Sequence, residues 1–198
     1  MSSLPRPVEV MDIDWNRELL DQLGFHWDGI LRPRLEALTD EQLLWEPFAG
    51  MWSIRRRAEA TTPMAAGARD TVVDYAIPEP TPAPLTTIGW RLAHIALIFG
   101  QRASSHFGDG TLDYATADWP ITARDMLTFV DTHHDLWIEG VRSLGADGLA
   151  RPCGPAEGPY AEAPMAALVL HVNREVLHHG AEVALLLDLY THMEGTPS

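Results

Sequence analysis

The sequence predicts an all-α protein, a four-helix bundle with a long irregular excursion between its first and second helices. Four long segments repeat apolar residues at spacings of three and four, which is the period of one face of an α-helix. No segment shows the apolar–polar alternation that is typical of a half-buried strand. The chain has 198 residues, enough for one domain with its own core, so we predict a single domain over residues 1–198.

The first helix is predicted from Asp14 to about Ala37, after a loose N-terminal arm at residues 1–11. Pro33 is expected to kink its last turn. Thr39 should then cap a short additional turn whose first residues are acidic. The apolar face of this first helix consists of Trp15, Leu19, Leu23, Trp27, Ile30, Leu31 and Leu35.

Residues 45–85 interrupt the helical pattern. They have no sustained period and contain many prolines and glycines, so we predict a long loop with at most one helical turn or a short strand. Loops of this length in compact domains usually have a function or are disordered. Trp45, Phe48 and Trp52 indicate that part of this excursion packs onto the rest of the protein.

Three further helices are predicted at about 86–107, 122–144 and 164–193, with loops at 108–121 and 145–163. Asp125 follows Thr122 by three residues, an arrangement similar to a capping box at the start of the third helix. Pro164 suits the first turn of the fourth helix. Together the four helices predict a bundle.

The net charge of −14 argues against binding of nucleic acid or an anionic membrane through a basic surface. The single cysteine, Cys153, excludes an intrachain disulfide framework and fits a reducing compartment. The chain shows no basic-then-apolar signal segment and no uninterrupted apolar run of membrane-spanning length. We therefore predict a soluble cytoplasmic protein that acts on a small molecule, without nucleic-acid or membrane partners.

The fourth predicted helix carries carboxylates and imidazoles within its apolar stripe. On a helical wheel, His171, His179 and Glu182 lie within roughly 40° of Glu175, whereas His178 lies at the edge of the stripe. An ionised carboxylate in such a stripe must be paired, hydrogen-bonded or bound to a metal, because an unpaired buried charge is very costly. The same face carries Leu168, Val172, Leu186 and Tyr190.

His94 can complete a set of three metal ligands. It lies on the apolar face of the second helix, while Glu175 and His179 are one turn apart on the fourth, so the three side chains can bind one divalent ion. Three protein ligands leave a coordination position open for water or substrate, as in catalytic sites. The alternatives are a hydrogen-bonded core histidine at position 94 and an intrahelical pair of Glu175 and His179.

The remaining histidines and the cysteine are assigned other roles. His171 and, less directly, His26 are candidates to support a metal ligand. His133 and His134 are interpreted as structural or surface residues. Cys153 is interpreted as an incidental loop cysteine, because a nucleophilic thiolate needs a nearby base or positive charge.

Four segments, "GFHWDGILRPRLEALTDEQLLWEP", "GMWSIR", "TTIGWRLAHIA" and "HVNREVLHHGAEV", resemble the DinB/YfiT-like superfamily. Within it, the chain is most similar to the mycothiol-dependent maleylpyruvate isomerase group. The superfamily's last-helix pattern is His-x-x-x-His-Arg-Gly-Gln, and the matching residues here are Glu175, His179, Gly180, Ala181 and Glu182. Glutamate in place of the first histidine resembles the isomerase arrangement, whereas the other substitutions depart from the general pattern.

The resemblance implies that His94, Glu175 and His179 bind zinc, although nickel, iron or manganese also suits these ligand types. It further implies a low-molecular-weight thiol such as mycothiol, used in S-transfer or isomerisation. A bound divalent cation supports such chemistry because it lowers the pKa of a ligated thiol. Glu182 is expected to act as a catalytic general base or to support a ligand histidine. The alternative function is a non-catalytic metal-binding or stress-response protein on the same fold.

Apolar residues outside the site predict a homodimer. The back of the fourth helix carries Leu170, Leu177, Ala181 and Ala184, and the second helix has a small-residue face of Gly89, Ala96, Gly100 and Ala103. A bundle helix that is apolar on two sides must bury both. It can do so within the domain, against the excursion, or across a two-fold interface, and we expect the last of these.

Overall fold

A computed structural model describes residues 12–194, so the predicted arm at 1–11 lies outside the described residues. The described part of the chain is mostly helical, which confirms the predicted all-α bundle, with a small two-stranded sheet as an addition. Its helices are α1 (Trp15–His26), α2 (Arg32–Arg34), α3 (Asp40–Leu44), α4 (Ile88–Phe107), α5 (Ala123–Arg142), α6 (Gly145–Ala150) and α7 (Met165–Glu194).

The first predicted helix is present but contains a wider turn. Asp14 caps α1 by accepting a hydrogen bond from the backbone N–H of Arg17 at 3.1 Å. A π-helical turn at Trp27–Leu31 then connects α1 to α2, and Pro33 lies in the first turn of α2. In a regular α-helix the proline ring would clash with the carbonyl four residues earlier, so the wider turn accommodates it.

Thr39 caps α3 through a capping box. Its Oγ1 accepts a hydrogen bond from the backbone N–H of Gln42 at 3.2 Å, and Gln42 Oε1 accepts one from the backbone N–H of Thr39 at 3.0 Å. Asp40 accepts a further hydrogen bond from the backbone N–H of Ala123 at 2.7 Å. This contact joins the start of α3 to the start of α5.

The excursion at 45–85 is more ordered than the sequence predicts. Strands β1 (Ile54–Arg56) and β2 (Thr71–Val73) pair in antiparallel register, with Ile54 opposite Val73. Each strand has three residues, too few to show the alternation by which strands are recognised in a sequence.

Asp74 holds the excursion together. Its side chain is fully buried and accepts hydrogen bonds from the backbone N–H groups of Ser53 and Thr61, each at 3.1 Å. Arg55 donates to the same carboxylate through Nε at 2.8 Å and also pairs with Glu46 at 2.7 Å. The buried charge is therefore compensated, and the loop is fixed by a polar network that no periodic pattern could reveal.

The four long helices surround one core, in which α4 and α1 each pack against both α5 and α7. Three tryptophans are almost completely buried in this core, namely Trp27, Trp119 and Trp137. Glycines permit close contacts between α4 and α5. A Cβ added at Gly140 would overlap the ring of Phe107, and one added at Gly100 would overlap the ring of His133.

The connection before α7, predicted as a loop at 145–163, contains α6 and a 3₁₀ turn at Pro155–Tyr160. It folds back on itself through two backbone hydrogen bonds of 2.8 Å, from Cys153 N–H to the carbonyl of Ala163 and from Gly154 N–H to that of Ala161. This places Cys153 and the 3₁₀ turn beside the first turns of α7.

The predicted dimer face is divided in the structure. On α4, the small-residue face of Gly89, Ala96, Gly100 and Ala103 is buried within the domain. On α7, Leu170 is 51 % exposed and Ala181 is also exposed. Of the predicted dimer face, only the α7 part is therefore exposed and able to contact a second chain. The homodimer stays a prediction.

Among residues 12–194, no helix is both long enough and apolar enough to cross a bilayer.

Candidate metal centre

His94 on α4 and Glu175 and His179 on α7 converge on one point of the bundle. One ligand atom from each side chain lies within 4.8 Å of the others. The two helices run antiparallel here, since Arg91 on α4 contacts Glu182, while Arg102 lines the same cavity as His171. The sequence separation of four places Glu175 and His179 on successive turns of α7, facing α4.

Hydrogen bonding orients the imidazole of His179 toward Glu175. Its Nδ1 lies 2.7 Å from Glu182 Oε2, and its Nε2 lies 3.4 Å from Glu175 Oε2. The short contact with a carboxylate favours the tautomer with a proton on Nδ1, which donates to Glu182. The lone pair of Nε2 is then directed toward the point where the three side chains meet.

His94 is fixed on two sides. Its Nδ1 lies 2.7 Å from the hydroxyl of Tyr114, and its ring stacks on that of Trp90 with centroids 5.5 Å apart and an interplanar angle of 11°. Burial lowers the pKa of His94 to about 3, with smaller contributions in the same direction from the charges of His179 and Arg91. The imidazole is therefore neutral near physiological pH, which is the protonation state that binds metal.

The excursion supports His94 indirectly. The Tyr114 ring stacks on Tyr75, with centroids 5.3 Å apart. The indole Nε1 of Trp90 donates a hydrogen bond of 2.8 Å to the backbone carbonyl of Asp74. Burial raises the pKa of Tyr114, so its hydroxyl keeps its proton at neutral pH. The long loop after α3 thus helps to position one of the three converging side chains.

Glu182, predicted as a catalytic residue, lies beside the cluster and contacts Arg91. Arg91 Nε is 2.8 Å from Glu182 Oε2, and Nη2 donates to Oε1 at 3.3 Å. His178 Nε2 lies 3.5 Å from Glu182 Oε1, and its side chain is 66 % exposed. His178, His179 and Glu182 could also hold an ion together, a second set that shares His179 with the first.

The other histidines occupy separate places. His171 Nδ1 lies 3.6 Å from Glu175 Oε1, next to the cluster. His26 packs against Gly180, on which an added Cβ would meet its Nε2. His133 contacts the carbonyl of Phe129 through Nδ1 at 2.7 Å, and His134 stacks on Trp27 in the core. Of the two predicted roles, structural or surface, both His133 and His134 have the structural one.

Sequence reasoning missed Arg91 and Tyr114. The sequence did contain an indication that Arg91 lies near the site. It precedes His94 by three residues, so both side chains lie near the same face of α4. Tyr114 lies in a loop and becomes a neighbour of His94 only through the tertiary fold, so no local pattern could identify it.

The converging side chains fit a divalent metal of the zinc type. Two imidazole nitrogens and one carboxylate oxygen are ordinary zinc ligands, and bonds of about 2.1 Å in a tetrahedron separate ligand atoms by roughly 3.4 Å. The distance between His179 Nε2 and Glu175 Oε2 is 3.4 Å. In the tautomers whose Nδ1–H groups donate to Tyr114 and Glu182, both Nε2 atoms are available to the metal.

Comparison with known proteins identifies the family but no individual relative. Neither the curated proteins nor the solved structures contain a significant match to the chain. A family model described as the DinB superfamily matches residues 22–183, which include α4, α5 and the three converging side chains of the candidate metal centre. The helical bundle agrees with this match, and the chain belongs to the DinB superfamily.

Proposed function

We propose that this protein is a metal-dependent enzyme whose divalent metal, zinc, is held by His94, Glu175 and His179. One observation carries the proposal: ligand atoms from α4 and α7 lie within 4.8 Å of one another. Membership of a superfamily whose members commonly bind metal supports it.

The proposed reaction uses a low-molecular-weight thiol such as mycothiol in S-transfer to, or isomerisation of, an electrophilic substrate. A divalent cation at this centre would lower the pKa of a bound thiol and so supply a nucleophile at neutral pH. The chain's own contribution is to present neutral imidazole nitrogens and one carboxylate in fixed orientations. The Glu175 side chain is 24 % exposed, so small molecules can approach the centre from solvent.

Arg91 and Glu182 are assigned a positioning role in this proposal. Glu182 accepts a hydrogen bond from Nδ1–H of His179, and Arg91 forms an ion pair with the same carboxylate. Glu182 Oε2 contacts both partners, at 2.7 Å from His179 Nδ1 and 2.8 Å from Arg91 Nε. A general-base role for Glu182, the other expectation from the sequence, requires it to leave this pair during the reaction.

A non-catalytic metal-binding or stress-response protein is the alternative function. Structural zinc sites are usually closed by four protein ligands, whereas the cluster within residues 12–194 that includes His94 comprises three. This ligand number favours the enzyme. Tight metal binding without any thiol-dependent turnover across a panel of electrophiles would favour the alternative.

Metal binding is the first test. Protein stripped with a chelator and reloaded with zinc should retain one equivalent by elemental analysis, and His94→Ala or His179→Ala should abolish this retention. His178→Ala is the matched control, because it removes an exposed imidazole from the same helix and should leave zinc bound. Loss of zinc in His178→Ala but not in His94→Ala would assign the metal to His178, His179 and Glu182 instead.

A further inference from the structure

A cavity of about 400 Å³ adjoins the candidate metal centre. It lies between α4, α7 and the folded-back connection before α7, and its walls include Arg102, Arg174, His171 and Cys153. His171 separates the cavity from the centre, with its Nδ1 3.6 Å from Glu175 Oε1. The cavity and the centre are therefore neighbours, with the His171 side chain between them.

Arg102 lines this cavity and has one unused hydrogen-bond donor, Nη2. Its side chain is 21 % exposed, and Nη1 donates to Gln101 Oε1 at 3.1 Å. Nε lies 3.2 Å from Glu157 Oε1 but makes no hydrogen bond to it, and no described residue accepts from Nη2. Nε is buried, whereas Nη2 remains able to donate a charge-assisted hydrogen bond to a carboxylate.

Glu157 is occupied elsewhere. Its Oε1 lies 2.9 Å from Nε2 of His106, and both side chains are more than nine-tenths buried. Glu157 also forms an ion pair with Arg102 but leaves Nη2 of the guanidinium without an acceptor among residues 12–194.

The residues that line the cavity carry one net positive charge. Arg102 and Arg174 contribute two positive charges and Glu157 one negative charge, in a chain whose net charge is −14 and which contains no lysine. Arg174 stands at the rim, 69 % exposed, with Nη2 2.6 Å from His171 Nδ1 and 3.6 Å from Glu175 Oε1, a carboxylate outside the cavity lining that offsets part of its charge. The apolar side of the cavity includes Leu168. The two negative charges of a phosphate dianion would exceed the net charge of this lining. A carboxylate attached to an apolar chain matches both the single net positive charge and the apolar side of the cavity.

We propose that this cavity binds the carboxylate of a small organic monoanion whose other end reaches the candidate metal centre. The second part of the proposal rests on the proposed function, since it requires a metal there. The first part depends only on Arg102, Arg174 and the cavity, so the two can be tested separately.

The first test uses metal-free protein and the single cysteine. Cys153 lines the cavity, so alkylation by the neutral reagent iodoacetamide, followed by intact mass, reports whether the cavity is filled. Hexanoate should slow alkylation in a saturable manner, and the neutral isostere hexanamide should require a concentration at least about tenfold higher, because it cannot form charge-assisted hydrogen bonds. Equal protection by the two compounds, or stronger protection by inorganic phosphate than by hexanoate, would overturn the carboxylate site.

Arginine variants test which residues are required for protection by hexanoate. Arg102→Gln should abolish protection by hexanoate, and Arg174→Gln should weaken it by about tenfold. Arg142→Gln removes the same charge outside the cavity and should behave as wild type. Arg174 is exposed and its replacement should not disturb folding, so an unchanged half-saturation concentration in Arg174→Gln would count against the site even if Arg102→Gln fails to fold.

The second test determines whether one ligand can occupy the cavity and reach the candidate metal centre at the same time. 6-Mercaptohexanoate should bind zinc-loaded protein at least about tenfold more tightly than metal-free protein, since its thiol can reach the metal. His94→Ala should remove this zinc-dependent gain but leave protection by hexanoate intact. If zinc binds but the gain is absent, the spanning arrangement is wrong; if zinc does not bind, the proposed function fails while the carboxylate site stands on the first test.

Discussion

At the scale of single residues, Glu182 contacts one proposed metal ligand, His179, and one arginine, Arg91. It bonds His179 Nδ1 at 2.7 Å and pairs with Arg91 at 2.8 Å. If Glu182 orients His179, then Glu182→Gln should weaken zinc affinity by about 10- to 100-fold, as loss of such supporting hydrogen bonds does in other metal sites. Competition with a chromophoric chelator measures this affinity.

The matched control for Glu182→Gln is Asp188→Asn, which removes a negative charge from the same helix at a residue paired with Arg34. Its zinc affinity should equal that of wild type. A pure general base would give a different pattern, because Glu182→Gln would then bind zinc normally and lose only turnover.

His133 gives a pH-dependent prediction away from the metal centre. Burial is the main cause that lowers its pKa, and the hydrogen bond with Phe129 acts in the opposite direction. Because the folded pKa lies below that of the unfolded chain, the unfolded state binds the proton more readily. The stability that His133 contributes is therefore present above about pH 6.5 and is lost as the pH falls below it.

We expect the free energy of unfolding, measured in urea, to decrease less between about pH 7 and pH 5 in His133→Gln than in wild type. His178→Gln, which replaces an exposed histidine, is the control for the loss of one imidazole. Identical pH dependence in wild type and His133→Gln would show that His133 does not contribute to the loss of stability at low pH.

At the scale of elements, long periodic segments could be predicted from the sequence, whereas short ones could not. Helices α4, α5 and α7 have 20, 20 and 30 residues, so their apolar faces recur often enough to be recognised. The same periodicity identified His94, Glu175 and His179 as polar residues on buried faces. Strands β1 and β2 have three residues each and are held by Asp74, a contact across the sequence that no local pattern contains.

The contact between α4 and α5 yields a prediction at the element scale. Gly140→Ala should lower the free energy of unfolding by about 1–3 kcal/mol, because the added methyl group overlaps the ring of Phe107 and forces the helices to shift. Urea unfolding followed by circular dichroism measures the change. Gly29→Ala, in the π-helical turn, is the control: no atom lies within 4 Å of its added Cβ, so this variant should lose no stability. Equal losses in both variants would exclude the Phe107 contact as the cause.

For the whole molecule, the sequence indicated which faces are apolar but not which of them the fold covers. The small residues of α4 face inward in the structure, whereas Leu170 on α7 is 51 % exposed. A homodimer through α7 therefore predicts that wild type has twice the mass of one chain in light scattering and that Leu170→Glu has the mass of one chain. The exposed replacement Leu136→Glu on α5 is the control and should leave the mass unchanged. A wild-type mass of one chain would rule out the dimer.

The candidate metal centre also links two helices that are far apart in the sequence, so metal binding should stabilise the whole fold. A ligand that binds only the folded state adds about 2.7 kcal/mol to the free energy of unfolding at a concentration of 100 times Kd. Zinc should therefore raise the urea midpoint of metal-free wild type and of His178→Ala, and should have little effect on His94→Ala. Because His94 comes from α4 and the other two ligands from α7, a zinc effect that persists in His94→Ala would place the ion on α7 alone, where it could not join the helices.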